Sequence, residues 1–329
     1  MLLRILKSNT LFSSLLIPVI GVLFWMHSFQ SPGLIDLNLA NGAMPFYTLF
    51  YKLFKEQGFW QVFFAFILVL VNSFFISQLG SNFLFQRNRS YLPGIIYLLT
   101  VSSITRLHSL LPVHFATLFV LISIYFIIDT YHKPNEITFT FNASFFLSIA
   151  SLFYFPVVTL FPLVWIAIFV LQKSDNWRLL VIPILGFSTP WIFLWTFSFL
   201  TDTSAVLWQN LTTMLWDYHN SYLLEPYFLL LSAVVSIVTI LGSISVIGVY
   251  HRIKVSSRKY FVIFYWMLGI LLASGLGLIT IGIEIVALST IPVSFFITHF
   301  LVMGQKSIWK EVIIWVYLAT MVFALYFYK

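Results

Sequence analysis

The chain has 329 residues, of which 60% are hydrophobic, 19% aromatic and only 8% charged, with a formal net charge of +7. A soluble domain carries about 25% charged and about 45–50% apolar residues, so this chain cannot cover itself with water-compatible surface, and its solvent is lipid. No stretch is both long and polar enough for a separate soluble unit, so residues 1–329 read as a single integral-membrane domain.

The chain contains no cysteine, which excludes disulfides, thiolate catalysis and Cys-ligated metals. The positive charge does not indicate nucleic acid as a partner. The basic residues sit in short loops between apolar runs, where the positive-inside rule puts them.

Each stretch of about 20 apolar residues is a candidate span. Eleven are predicted, near 10–28, 59–79, 91–105, 112–130, 141–155, 157–172, 179–199, 225–250, 260–281, 283–303 and 311–328. The first follows Arg4 and Lys7 and has no A-x-A-like site close behind it. It therefore reads as an uncleaved span rather than a signal peptide. The third, fifth and sixth are short or broken by Pro93, Pro156 and Pro162. Proline in a span kinks the helix, which packed neighbours tolerate. The expected fold class is all-α, a polytopic transmembrane helix bundle.

Lys and Arg orient the bundle. With the N-terminus cytoplasmic, thirteen fall inside, and only Lys52, Lys55, Arg106 and Lys329 fall outside. The predicted topology is N-terminus in, C-terminus out. The two longest loops, 29–58 and about 200–224, are then both outside, and long loops tend to be functional.

The first of these loops carries Asp36 and then MPFYTLFYKLFKEQ at 44–57. Thr48, Lys52, Lys55 and Glu56 fall on one helical side, and Phe46, Leu49, Phe50, Leu53 and Phe54 cover the rest. That pattern predicts an interfacial amphipathic helix with its apolar face in lipid. The second loop holds SAVLWQNLTTMLW, a further surface helix, and then WDYHNSY. Asp217, His219 and the aromatics around them suit a sugar, with its apolar ring face and hydroxyl edges. They equally suit an aromatic belt at the headgroup level.

Soluble-enzyme motifs are absent: no phosphate-binding Gly-rich loop, no H-E-x-x-H and no G-x-S-x-G. Asp36 fits a general base on an acceptor hydroxyl. With oxygen donors such as Asn38 it also fits a divalent-cation site, and a solvated loop acid or helix cap has the same signature. Arg106 and His108, in SITRLHSLLPVH, together suit a phosphate, Arg by bidentate contact, or lipid headgroups. Glu284, in GLITIGIEIVALSTIP, is an acid among apolar neighbours, which is costly and marks a functional candidate. His299, deeper in the same span, reads as a packing residue.

The layout resembles the GT-C class of polytopic glycosyltransferases over roughly residues 10–200. A first span runs into a long outer loop with an acid and a membrane-parallel helix. The short spans SYLPGIIYLLTVSSI and VHFATLFVLISIYFII follow, then NASFFLSIASLFYFPVVTLFPLVWIAIFVLQKSDNWRLLVIPILGFSTPW. More narrowly, the chain is similar to a family of Bacteroidota inner-membrane proteins whose function is uncharacterised. The GT-C resemblance implies a polyprenyl-phosphate sugar donor, used on the outer face of the inner membrane. It also implies an inverting transfer in which Asp36 is the base or metal-site acid. Many members carry paired acids at that place, and here Leu37 and Asn38 follow Asp36.

Two further function classes fit the same composition. One is a non-catalytic multi-pass component of an envelope-biogenesis complex, bound to a membrane-protein partner. The other is a lipid or solute transporter, although no internal repeat of the kind that marks many transporters is evident. All three place the chain among membrane lipids.

Overall fold

The computed structural model describes residues 11–32, 44–54, 58–85, 90–131, 136–171, 177–216, 226–275, 283–302 and 308–327. Among these there is no strand. A segment in hydrocarbon has no water to satisfy its backbone, so each run must satisfy its N–H and C=O groups internally, as a helix does.

The helices, in chain order, are α1 (Leu11–Gln30), α2 (Pro45–Phe54), α3 (Gly58–Leu79), α4 (Leu92–Ser102), α5 (Pro112–Asp129), α6 (Glu136–Phe153) and α7 (Pro162–Leu171). They continue as α8 (Arg178–Leu200), α9 (Ser204–Trp216), α10 (Pro226–Gly248), α11 (Val255–Ala273), α12 (Glu284–Val302) and α13 (Ile308–Phe327). A π-helical turn, Gly80–Leu84, extends α3, and 3-10 turns cover Thr105–His108 and Phe155–Leu160.

Among the described residues, nine helices are long and apolar enough to cross a membrane. The third and sixth expected spans are short. α4 has 11 residues, about 16 Å at 1.5 Å per residue, against a hydrocarbon core of about 30 Å. The sixth is a 3-10 turn followed by the ten residues of α7. The fifth is a full helix of 18 residues, because Pro156 falls beyond its end.

The prolines explain much of this punctuation. Pro45, Pro112, Pro162 and Pro226 open helices, and Pro93 lies in the first turn of α4. Proline there gives up no backbone bond, since the first-turn N–H groups have no intrahelical acceptor. Pro18, Pro183, Pro190 and Pro292 do lie inside helices. The expected breaks at Pro93 and Pro162 are thus helix starts rather than kinks.

We call the end of the bundle that carries the C-terminus of α1 the upper end. Trp25 of α1 packs on Phe66 of α3, and Phe29 on Phe59, so α3 descends beside the rising α1. Ser73 and Ser77 of α3 donate to the carbonyls of Gly94 and Tyr91, so α4 rises again. Phe115 stacks on Phe153 and Phe126 on Phe146, which sets α5 falling and α6 rising. Ser148 and Trp191 tie α6 to a parallel α8. Gly242 lies on the Phe296 carbonyl and Ser245 beside His299, so α10 and α12 fall together. Apart from α2 and α9, the described helices therefore alternate in direction, with the N-terminal side of α1 at the lower end.

α4 is buried along its whole length, wrapped by α1, α3, α12 and α13. A helix that touches no lipid can be short without a mismatch penalty. Close approach around it depends on Gly94, where a Cβ would overlap the Ser73 carbonyl.

Candidate functional site at the upper end

The shortness of α4 creates the feature of interest. α4 stops well below the tips of α1 and α3. Asn72, which donates to the His114 carbonyl at 3.1 Å, lies fourteen residues into α3, about 20 Å from its start. α5 thus begins deep beside α3, and the Thr105–His108 turn between α4 and α5 forms the floor of a recess.

A break at this depth leaves carbonyls that water cannot reach, and each must find a donor. Two histidines supply them. His108 donates from Nε2 to the Ser102 carbonyl at 2.9 Å, and His114 from Nε2 to the Leu107 carbonyl at 2.9 Å. A carbonyl can only accept, so both rings carry their proton on Nε2. Nδ1 of His108 then accepts from the Ser28 hydroxyl at 2.6 Å. The ring also stacks on Trp25, whose indole N–H donates to Ser102 Oγ at 2.8 Å.

His108 is therefore a positioning residue. It is buried, both nitrogens are committed to protein groups, and burial pushes its pKa down to about 4. It adds no charge for a phosphate at neutral pH. Arg106, two residues earlier, is half-buried on the same turn and is the cation of the pair.

α2 drops into the recess. The Tyr47 hydroxyl donates to the Leu110 carbonyl at 2.8 Å. Phe50 packs on Phe115 and Phe153, and Phe46 packs on Phe153. Met44 and Tyr47 are fully buried. The apolar side of this helix was expected to face lipid. Instead Phe46 and Phe50 of that side face the bundle, because the recess exposes apolar helix ends that need a cover, and the side chains of Leu49, Leu53 and Phe54 lie outside those described. Lys52, Lys55 and Glu56, the expected polar side, lie outside the residues whose side chains are described.

α9 meets α2 here. Leu207 and Leu211 of α9 pack with Met44, with Leu152 of α6 and with Leu194 of α8. The reversal from α8 into α9 is tight, with Asp202 at φ 54°, a left-handed conformation that Asp tolerates better than most residues. Trp208 projects from α9 and is exposed, as suits an interfacial aromatic. The surface helix expected in the second long loop is present.

Of the sequence candidates, the structure brings Arg106, His108 and Glu284 to the upper end. Glu284 opens α12 and is buried, and an acid in a first helical turn suits the dipole. Asp36, Asp217 and His219 lie outside the described residues. The flanks of Asp36, Pro32 and Met44, are both at the upper end, as Pro32 against Gly58 shows. Asp217 and His219 follow α9 directly in the chain. Among the described residues no three His, Asp or Glu side chains gather as a metal cluster. His299 sits at the lower end, edge-on to Phe261, with Nδ1 3.4 Å from Ser245 Oγ, which fits the packing role expected of it.

Sequence reasoning passed over Trp25, Ser28, Tyr47, Asn72, Tyr97, Ser102 and His114. Their common signal is a hydrogen-bonding side chain inside an otherwise apolar run, which must find a partner within the bundle. Comparison of the chain with family models, curated proteins and solved structures finds no match.

Proposed function

We propose that the chain is a GT-C-like membrane glycosyltransferase. It takes a sugar from a polyprenyl-phosphate donor at its upper end, which is the outer face of the bacterial inner membrane. The observation that supports this most is Arg106 on the recess floor, half-buried at the end that also holds Glu284 and the two flanks of Asp36. A lipid-linked phosphate enters from the side, and a cation set below the helix tips meets it with little competing water. Arg106 then holds the phosphate, and Asp36 takes the proton of the acceptor hydroxyl. Asp217 and His219 contact the sugar. Asp36 and Asn38 are the donors for a divalent cation, if the reaction uses one.

The charge bias supports the orientation. Arg178, Lys254, Arg258, Lys259 and Lys310 all lie near the lower end, where α8, α11 and α13 begin, and cytoplasmic loops carry such an excess.

The test is release of polyprenyl phosphate from a panel of polyprenyl-phosphate sugars by the purified protein in lipid nanodiscs, with a bacterial envelope extract supplying acceptor hydroxyls, read by mass spectrometry with and without EDTA. Asp36→Asn and Arg106→Gln are expected to abolish release while protein level and insertion stay normal. Wild-type rates in Asp36→Asn remove that residue from the mechanism. An inert wild-type protein that purifies with a stoichiometric membrane partner replaces the enzyme with a structural component of a complex.

A further inference from the structure

In the lower half of the bundle, α4, α10, α12 and α13 do not close completely on one another. They leave a crevice lined by Leu92 and Leu99 of α4, Val238 of α10, Leu301 of α12, and Ile314 and Leu318 of α13. It holds about 360 Å³ of space, its open side included. Tyr317 is the lining residue with a polar side chain, and its hydroxyl is spent. Thr100 Oγ1 gives its proton to the Ile96 carbonyl at 2.7 Å, so Tyr317 donates to Thr100. Spread over the roughly 10 Å of height between Leu92 and Leu99, the space is about one hydrocarbon chain wide. A helix, about 10–12 Å across, is too thick for it.

A cation stands below this crevice. Lys310 comes three and four residues before Ile313 and Ile314, so it lies on the same face of α13, about 5–6 Å lower. It is half-buried, with its ammonium 5.4 Å from the centre of the Phe300 ring. Phe300 directly precedes Leu301 of the crevice wall. Glu311 is turned about 100° further round the helix.

We propose that the crevice and Lys310 together bind one phospholipid of the lower leaflet. One acyl chain fills the crevice, and the phosphate sits on the Lys310 ammonium. The spacing suits that occupant. The charge lies in the first turn of α13, at headgroup level, and the apolar slot opens one turn deeper, where acyl chains begin. Basic pockets between membrane helices hold lipid headgroups in this way. A polar solute finds no hydrogen bond in the crevice. α4, which the surrounding bilayer does not reach, is thereby packed by a chain on the side its neighbours leave open. This inference does not rest on the glycosyltransferase reading.

The test is native mass spectrometry of the protein after passage through nanodiscs of equal phosphatidylglycerol and phosphatidylethanolamine and release into mild detergent. The expected result is one retained phospholipid per chain. Lys310→Ala is expected to lower retention about fivefold, the worth of one basic residue at a lipid surface. Leu318→Trp, which fills the mouth of the crevice from a half-buried position, is expected to abolish it. Lys254→Ala, at the start of α11, is expected to leave it unchanged. An experimental structure of the unsubstituted protein is expected to show elongated density between α4, α10 and α13. Retention that survives Lys310→Ala or Leu318→Trp, an equal loss in Lys254→Ala, no retained phospholipid, or side chains closing the crevice each overturn the proposal.

Discussion

The imidazole of His108 stacks on the indole of Trp25, with ring centroids 4.2 Å apart and an interplanar angle of 19°. Both side chains converge on Ser102, the indole N–H on its hydroxyl and the imidazole N–H on its carbonyl. α1 is thereby fastened to the break after α4, and the turn carrying Arg106 is held in place by a neutral ring.

That neutrality has a pH signature. The folded pKa of His108 is lowered from 6.5 to about 4. Above pH 6.5 both states are neutral at this ring and the full stability is present. As pH falls below 6.5, the unfolded chain binds a proton that the folded protein does not. Stability is lost progressively until about pH 4, at a ceiling of roughly 3 kcal/mol for this shift. Thermal denaturation in detergent between pH 7.5 and 4.5 measures the slope, and His108→Phe is expected to flatten part of it. An equal slope in that variant assigns the loss to other groups.

His108→Phe at neutral pH leaves the Ser102 carbonyl without the imidazole donor. Loss of that partner in a buried site costs about 1–3 kcal/mol. Trp25→Phe removes the bond to Ser102 Oγ and also part of a fully buried indole that stacks on His108, so it leaves a cavity and is expected to cost at least as much. Melting temperatures of the two variants check the relation.

Glycine contacts give a third prediction with an internal control. A Cβ at Gly94 meets the Ser73 carbonyl, and one at Gly242 stands 2.5 Å from the Phe296 carbonyl. Gly94→Ala and Gly242→Ala must push helices apart and are expected to destabilise by about 1–3 kcal/mol. Gly269 lies in α11 with nothing within 4 Å of its Cβ position. Gly269→Ala is expected to be neutral or to stabilise by up to about 1 kcal/mol, since Ala is the better helix former.

Orientation is open to a direct test because the chain has no cysteine. Trp208 and Trp309 are exposed near opposite ends. A membrane-impermeant maleimide added to intact cells is expected to label Trp208→Cys and to reach Trp309→Cys only after lysis. The reverse pattern inverts the topology and moves the recess to the cytoplasmic side.

The cover over the recess yields a last prediction. Tyr47→Phe removes the bond from α2 to the Leu110 carbonyl but keeps the ring. Nitroxide labels on α2 are expected to become more mobile, with the membrane-spanning helices unaffected. Unchanged label mobility would show that aromatic packing on Phe115 and Phe153 holds α2 by itself.

Composition and hydropathy by themselves determined that the chain lives in lipid, that it is helical, and where most of its helices fall, although α6, α7 and α11 each start five residues from the expected position. Lipid permits so few backbone solutions that apolar length alone locates them. The alternation of the segments was legible too, because short loops force each helix to reverse. Only the tertiary structure decided that α4 stops short, that Pro93 and Pro162 open helices, that Phe46, Tyr47 and Phe50 of α2 turn inward, and that His108 is a brace rather than a cation. Those outcomes depend on partners far apart in the chain, such as Ser28 and His108, eighty residues apart. A polar side chain in an apolar run announces that it needs a partner, but only packing determines which partner it finds.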